Sequence, residues 1–533
     1  MKNTKRIRTL RSAIAASVVA LSCTASWAAR DFTPQAGTWV ISEELDGKPG
    51  RGLAIDVQGN TFFMQVFGYE KNGDATFYTA IGEMDGNMVT APLFRYEGGR
   101  HFGGHATDAV ESNFLGNAII SFTNGLAGII ELPNEKPKKI ERLLIDNRKL
   151  EDETLRKFDH VKSSLWWVLD EEKNSTLQLF AELHMPTEDT YLLRLSSASF
   201  NDYLFYNCQR MEGVQKFNCE SVVSNGNWVP FPQVKFQILG SEVVARLRDR
   251  NGSHLEAIGA AMGVGKSLKG AVSLCNLYQY TYMPGIGCSN WQVPANGTWI
   301  FADEQTGKPG RGISVDVQDK TTILQVFNYL PNGQPSFHMG SSILDMSSDT
   351  DARTGARNIP LSRYAGGRHL GGPASTAAVV QGDPEAGNAV ISFRAQPPGS
   401  SQDFVSGSLQ LPGEGAKPLV RLDLEGLSPP ARLLGQWIMR FDNLREGGQQ
   451  ISRKVNLTTM IDNAAISNDG STVCTPSGSD NTYRCDAYTD AHRTIKWGTF
   501  DASFNGFTVH DARAIQLRDR FGNWRGLGNV VLD

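Results

Sequence analysis

The chain has 533 residues, a formal net charge of -4, 40% hydrophobic and 20% charged residues, 54 Gly and seven Cys. Single cores stop growing near ~250 residues, so this length asks for roughly three to five domains. The ordinary composition excludes a disordered chain, a collagen-like repeat and a small disulfide scaffold, and the slight acidity removes any general case for nucleic acid or an anionic membrane surface.

At the N-terminus, Lys2, Lys5, Arg6, Arg8 and Arg11 form a basic region and Ala13 to Leu21 an apolar one. Ser26 and Ala28 supply the small residues of a cleavage site before Ala29. The apolar run is too short to span ~30 Å of hydrocarbon. Ala20 stands where a lipobox carries Leu ahead of Cys23, which argues against lipidation. Residues 1–28 therefore read as a signal peptide, and the protein as exported to the periplasm or secreted. Removing them takes away five basic side chains and no acidic ones, leaving 47 Lys and Arg against 56 Asp and Glu. No later apolar run is long enough to cross a bilayer, so no transmembrane segment is expected in the mature chain.

An internal repeat organises the rest. Residues 37–69, GTWVISEELDGKPGRGLAIDVQGNTFFMQVFGY, align without a gap on 297–329, with 18 identities in 33 positions. The match resumes at RYEGGRHFGGHA (95–106) against RYAGGRHLGGPA (363–374), and at GNAIISF (116–122) against GNAVISF (387–393). A weaker repeat links LRDRNGSHLEAIG (247–259) to LRDRFGNWRGLG (517–528), and Trp167 and Trp437 open the two segments concerned. The chain thus reads A1-B1-A2-B2: module A1 at 29–150, B1 at 151–262, a connector at 263–294, A2 at 295–428 and B2 at 429–533.

The predicted elements are almost all strands. In A1, Leu53, Ile55 and Val57 alternate with Ala54, Asp56 and Gln58, and Ile313, Val315 and Val317 repeat the pattern, as expected of strands with one buried face. Trp39 and Trp299 read as core tryptophans at one end of a barrel. Lys48-Pro49-Gly50-Arg51 and Lys308-Pro309-Gly310-Arg311 have the composition of type II turns, with the glycine at positive φ. Glu70-Lys71-Asn72-Gly73 and Leu330-Pro331-Asn332-Gly333 read as hairpin turns. One helix is expected, around 148–162. The fold class is all-β, with tandem small β-barrel or β-sandwich modules built by internal duplication.

Six cysteines remain after Cys23. Cys208 and Cys219 are eleven residues apart, as are Cys474 and Cys485, in matching contexts. These pairs are expected as disulfides, with Cys275–Cys288 as the third.

The strongest candidate site is the repeated motif R-Y-x-G-G-R-H-x-G-G, at Arg95 to Gly104 and Arg363 to Gly372. Arg95, Arg100 and His101, with Arg363, Arg368 and His369, form donor-rich loops suited to a carboxylate, a phosphate or sugar hydroxyls. The alternative is that these glycines shape the chain while the arginines satisfy nearby carbonyls. His101, His105 and Asp108 permit a weak metal reading, confined to A1 because Pro373 and Thr376 replace the last two in A2. Lys48, Arg51, Asp56 and Gln58 recur as Lys308, Arg311, Asp316 and Gln318. They read as surface Arg–Asp pairs, or as the polar lining of a cavity with Tyr69 or Tyr78. Ala260 to Ser267 fits a degenerate phosphate-loop pattern but lacks the βαβ context that such a loop needs. No cofactor is expected.

These features favour an exported, non-catalytic protein that binds a small molecule, a glycan or an envelope component through its repeated loops. Two alternatives are an extracytoplasmic hydrolase with one active and one degenerate copy, and a structural or assembly protein of the cell envelope.

Overall fold

The computed structural model describes residues 34–145, 161–262, 294–442 and 450–517, apart from short stretches within those spans. The period-two pattern of A1 closes into a barrel. Its strands are β1 (Gly37–Ile41), β2 (Gly52–Gln58), β3 (Thr61–Tyr69), β4 (Ala75–Asp85), β5 (Met88–Glu97), β6 (Val110–Asn124), β7 (Ala127–Glu131) and β8 (Lys138–Arg142). They pair antiparallel in sequence order, and β8 returns to β1 with Arg142 opposite Trp39. Closure leaves no free sheet edge. Trp39, Leu53, Ile55, Phe62, Met64 and Val66 fill the interior.

In B1, eight strands, β9 (Val161–Asp170) to β16 (His254–Met262), form a second closed barrel around Trp166, Phe217 and Phe236. A2 has nine strands: β17 (Gly297–Phe301), β18 (Gly312–Gln318), β19 (Thr321–Tyr329), β20 (Pro335–Ile343), β21 (Arg357–Ala365), β22 (Ala378–Val379), β23 (Gly387–Ser392), β24 (Ser406–Gln410) and β25 (Lys417–Arg421). β25 pairs with β17, and β20 meets β21 at His338–Arg363 and Met339–Ser362, which curls the sheet around its own core of Trp299, Val315, Leu324 and Val326. B2 is an eight-stranded sheet, β26 (Gly435–Asp442) to β33 (Gln516–Leu517).

Both hairpin turns form, with Gly73 N–H donating to Glu70 O and Gly333 N–H to Leu330 O. The Lys-Pro-Gly-Arg turns do not form as expected. Positive φ falls earlier, at Gly47 and Gly307, both at 77°. Asp46 Oδ1 accepts from Lys48 N–H across Gly47, reversing the chain there. The Pro49 carbonyl then accepts Ala377 N–H from A2, and Pro309 mirrors this with Ala109, so the segment runs on to the other copy instead of turning.

The expectation of one buried face is also too modest for β2 and β18. Ala54 and Asp56 are buried along with Leu53, Ile55 and Val57, because the outer face of each A module packs on the other. Phe67 and Tyr69 meet Phe337, and Phe77 meets Phe327 and Tyr329, at centroid separations of 5.5–5.9 Å. The B modules touch as well, through β27 (Gln450–Ile461) against β9 and β10 (Ser175–His184). Copy therefore packs on copy, although the chain visits them alternately.

Cys208–Cys219 and Cys474–Cys485 are disulfides, each joining directly opposite residues of adjacent strands. Cys275 and Cys288 lie outside the described residues, as do residues 1–33 and 146–160. Val161 and Lys162, the end of the expected helix, begin β9. The phosphate-loop pattern starts inside β16, whose neighbours β15 (Glu242–Arg248) and β9 are both antiparallel to it.

The A modules contain no cysteine. A reductant is therefore expected to lower the unfolding transition of the B modules by about 2–3 kcal/mol per short loop opened, while leaving that of the A pair in place. Differential scanning calorimetry with and without reductant checks this.

Candidate functional site

The repeated polar residues assemble a two-fold clasp between A1 and A2. Asp316 of A2 accepts both Arg142 Nη1 (2.8 Å) and Nη2 (2.6 Å) of A1, together with the Thr38 backbone N–H (2.9 Å). Asp56 of A1 accepts Arg421 Nη1 and Nη2, each at 2.8 Å, and Thr298 N–H at 2.9 Å. Gln318 and Gln58 extend the pattern to the Leu143 and Leu422 carbonyls. Asp56 and Asp316 are fully buried. The expected surface Arg–Asp pair is therefore corrected to a buried pair between copies, and the arginine involved is not Arg51.

Arg51 instead binds Glu44 and Glu135, each through two nitrogens, and Arg311 does the same with Glu304 and Glu414. The loop arginines cross over to these clusters. Arg100 reaches Glu304 at 2.8 Å, and Arg368 reaches Glu44 at 3.1 Å. Gly103 N–H donates to Glu414 and Gly371 N–H to Glu135. Burial would raise the Glu135 carboxyl, but Arg51, the Gly371 amide and Lys138 outweigh it and hold it at about 2. Glu44 and Glu414 are likewise held low against burial, mainly by Arg51 and Arg311.

The glycines serve this docking. A Cβ on Gly99 would lie 2.1 Å from the Tyr329 ring, and one on Gly367 2.0 Å from that of Tyr69. Phe102 enters the core of A2, and Leu370 packs against that of A1. His101 and His369 fold over Gly104 and Gly372 of their own loops. Of the metal alternative, His105 is exposed and Asp108 binds Lys308 and Thr306 of A2. No group of three His, Cys, Asp or Glu side chains placed to hold a metal ion occurs among the described residues.

Arg95 and Arg363 diverge. Arg95 pairs with Glu70 and donates to Gln334 of A2. Arg363 pairs with Asp383 inside a polar cluster that the sequence reading passed over. There His338 Nδ1 faces Asn328 Oδ1 at 3.1 Å and Nε2 faces Asp383 Oδ2 at 3.0 Å, with Glu385 Oε2 4.0 Å away. The Phe102 ring lies 4.8 Å from the His338 ring. A1 carries Tyr78 and Gly68 where A2 has His338 and Asn328, and has fewer residues between Ala109 and Gly116 than A2 between Ala377 and Gly387. Asp383 and Glu385 lie in that longer stretch. The signal lay in where the copies differ.

Burial, then the Asp383 charge, pushes the Glu385 carboxyl up to about 7. Burial also lowers His338 below the ordinary imidazole value, against the pull of Asp383. Asp383 is lowered, because Arg363 and the Glu385 amide outweigh its burial. At neutral pH the cluster thus holds an ionised Asp383, a neutral His338 and a half-titrated Glu385.

Comparison with protein-family models, curated proteins and solved structures finds no match. The site has to be read from its own chemistry.

Arg142→Ala leaves Asp316 buried without its partner, and a loss of about 3–5 kcal/mol is expected in denaturant unfolding of the A pair. Arg421→Ala should match it.

Glu385 gives a pH signature. Its folded pKa of about 7 exceeds its ordinary 4.5, so the folded chain keeps a proton that the unfolded chain has lost. That contribution is complete below 4.5 and fades as pH rises through about 7. Compared with Glu385→Gln, the parent chain should lose on the order of 2–3 kcal/mol between pH 5 and 8, at ~1.4 kcal/mol per pKa unit. Thermal unfolding of both across that range measures it.

Proposed function

We propose that this chain is an exported, non-catalytic binding protein of the cell envelope, and that its Gly-Gly-Arg-His loops hold its two halves together instead of contacting the ligand. One observation carries the reading: Arg100 and Arg368, the most ligand-like groups in the sequence, each end on a carboxylate of the opposite copy. Their charge is answered inside the molecule. Two disulfides and the export-like N-terminus support an oxidising compartment outside the cytoplasm. No helix among the described residues is long and apolar enough to cross a membrane.

The hydrolase alternative draws on the His338 cluster, present in one copy. Against it, His338 is fully buried and both ring nitrogens are engaged by neighbouring side chains, Nδ1 by Asn328 and Nε2 by Asp383. A structural role without ligand remains the competing account of the clasp.

The pair Arg100→Ala with Arg368→Ala separates clasp from contact surface. Expected is a loss of about 1–3 kcal/mol per arginine in unfolding, with unchanged association of the folded protein with the cell envelope in fractionation. Unchanged stability with lost association would return the loops to the role of binding site.

A further inference from the structure

The inward face of A2 along β19 and β20 differs from its counterpart in A1 in ways that the clasp does not require. His338, Asn328 and Ser336 share one inward face, because Ser336 stands opposite Asn328 and His338 opposite Val326, a residue of the A2 core. Ser336 is fully buried and its Oγ has no hydrogen-bond partner, a feature it shares with Thr76 at the equivalent position of A1, so the difference between the copies lies in the acids beside it. Glu385 is 8% exposed; Asn328 Nδ2 donates to its Oε2 and the Phe102 amide lies near its carboxyl, while Oε1 makes no well-formed hydrogen bond. Ser336 Oγ and Glu385 Oε1 would each regain in a complex the hydrogen bond it lacks. The cluster also reaches solvent, since the Arg363 side chain is 16% exposed.

Its charges define what would fit. With Glu385 ionised, two carboxylates face one guanidinium across a neutral imidazole, leaving one net negative charge near the Phe102 ring that packs on His338. A carboxylate, an aromatic ring and a hydroxyl acceptor together form the usual surroundings of an ammonium group. An anion would meet two carboxylates, and a neutral polyol would leave the charge unanswered. In A1 the corresponding ring is Tyr78, buried in the barrel core, with Gly68 beside it and Phe114 in place of an acid.

We propose that the inward-facing cluster of Ser336, His338, Asp383, Glu385 and Phe102 in A2 is a binding site for a small protonated amine, and that A1 has no equivalent. The site rests on the binding reading above and gives it a ligand class. The amine's N–H groups would donate to Glu385 Oε1 and Ser336 Oγ, with its charge against the Phe102 face. Binding requires the ionised Glu385, so at pH values below about 7 it releases the Glu385 proton.

Titration calorimetry of the full mature chain with methylammonium chloride tests this, with sodium acetate and glycerol as anionic and neutral controls. Expected is a saturable heat with methylammonium alone at pH 8. Its affinity should fall about tenfold per pH unit below about 7, with proton release visible in buffers of different ionisation enthalpy. Glu385→Gln removes the charge while keeping the shape, so it folds, and it should abolish the heat. The pair His338→Tyr with Asn328→Gly, which copies A1, should do the same. No saturable heat, or equal heats from the parent chain and Glu385→Gln, overturns the proposal. Either result leaves the fractionation outcome untouched, and a failure of envelope association leaves this heat untouched, so the two readings fail separately.

Discussion

The A pair depends on one carboxylate in each copy. Asp316 lies at the seam where β1 and β8 close the A1 barrel, holding Arg142 from one strand and Thr38 N–H from the other. Asp56 does the same at the seam between β17 and β25. The A1 barrel and the curled A2 sheet are therefore each held at one strand seam by a residue of the other copy. A buried carboxylate is expensive unless paired and fully hydrogen-bonded, so neither module can give up the other without exposing that cost. The two structures are completed together.

This mutual closure explains the placement of the other repeated residues. The loop arginines, the capping Phe102 and Leu370, and the Pro49 and Pro309 carbonyls all lie on the same two-fold relation between copies. Such an interface is isologous, the geometry of a symmetric dimer, here made within one chain. The B modules pack copy on copy as well, so the alternating order A1-B1-A2-B2 describes a covalently joined pair of two-module units.

Much of this was legible in the sequence because strands and turns leave local marks. The period-two runs, both hairpins and both eleven-residue disulfide loops arise from neighbours along the chain or across one turn. The site was less legible because its partners are distant. Nothing local distinguishes Asp56 paired with Arg51 from Asp56 paired with Arg421, and a surface pair is the more ordinary outcome. The Lys-Pro-Gly-Arg turn failed for the same reason, since the Pro49 carbonyl is claimed by Ala377. Residues retained in both copies drew attention as candidate contacts, yet retention here follows from symmetry: each must serve its own side of the clasp.

The residues released from that symmetry are the better guide to activity. Glu70 answers Arg95 in A1, but Leu330 takes its place in A2, which leaves Arg363 to find an acid elsewhere. The longer stretch before β23 supplies one in Asp383 and adds a second in Glu385. One acid was enough to satisfy Arg363. The second, its carboxyl pushed up by burial and by Asp383, keeps one oxygen without a well-formed hydrogen bond and weakens the fold above neutral pH. A buried group that costs stability without serving the packing is the kind of feature a binding site explains, and packing alone does not.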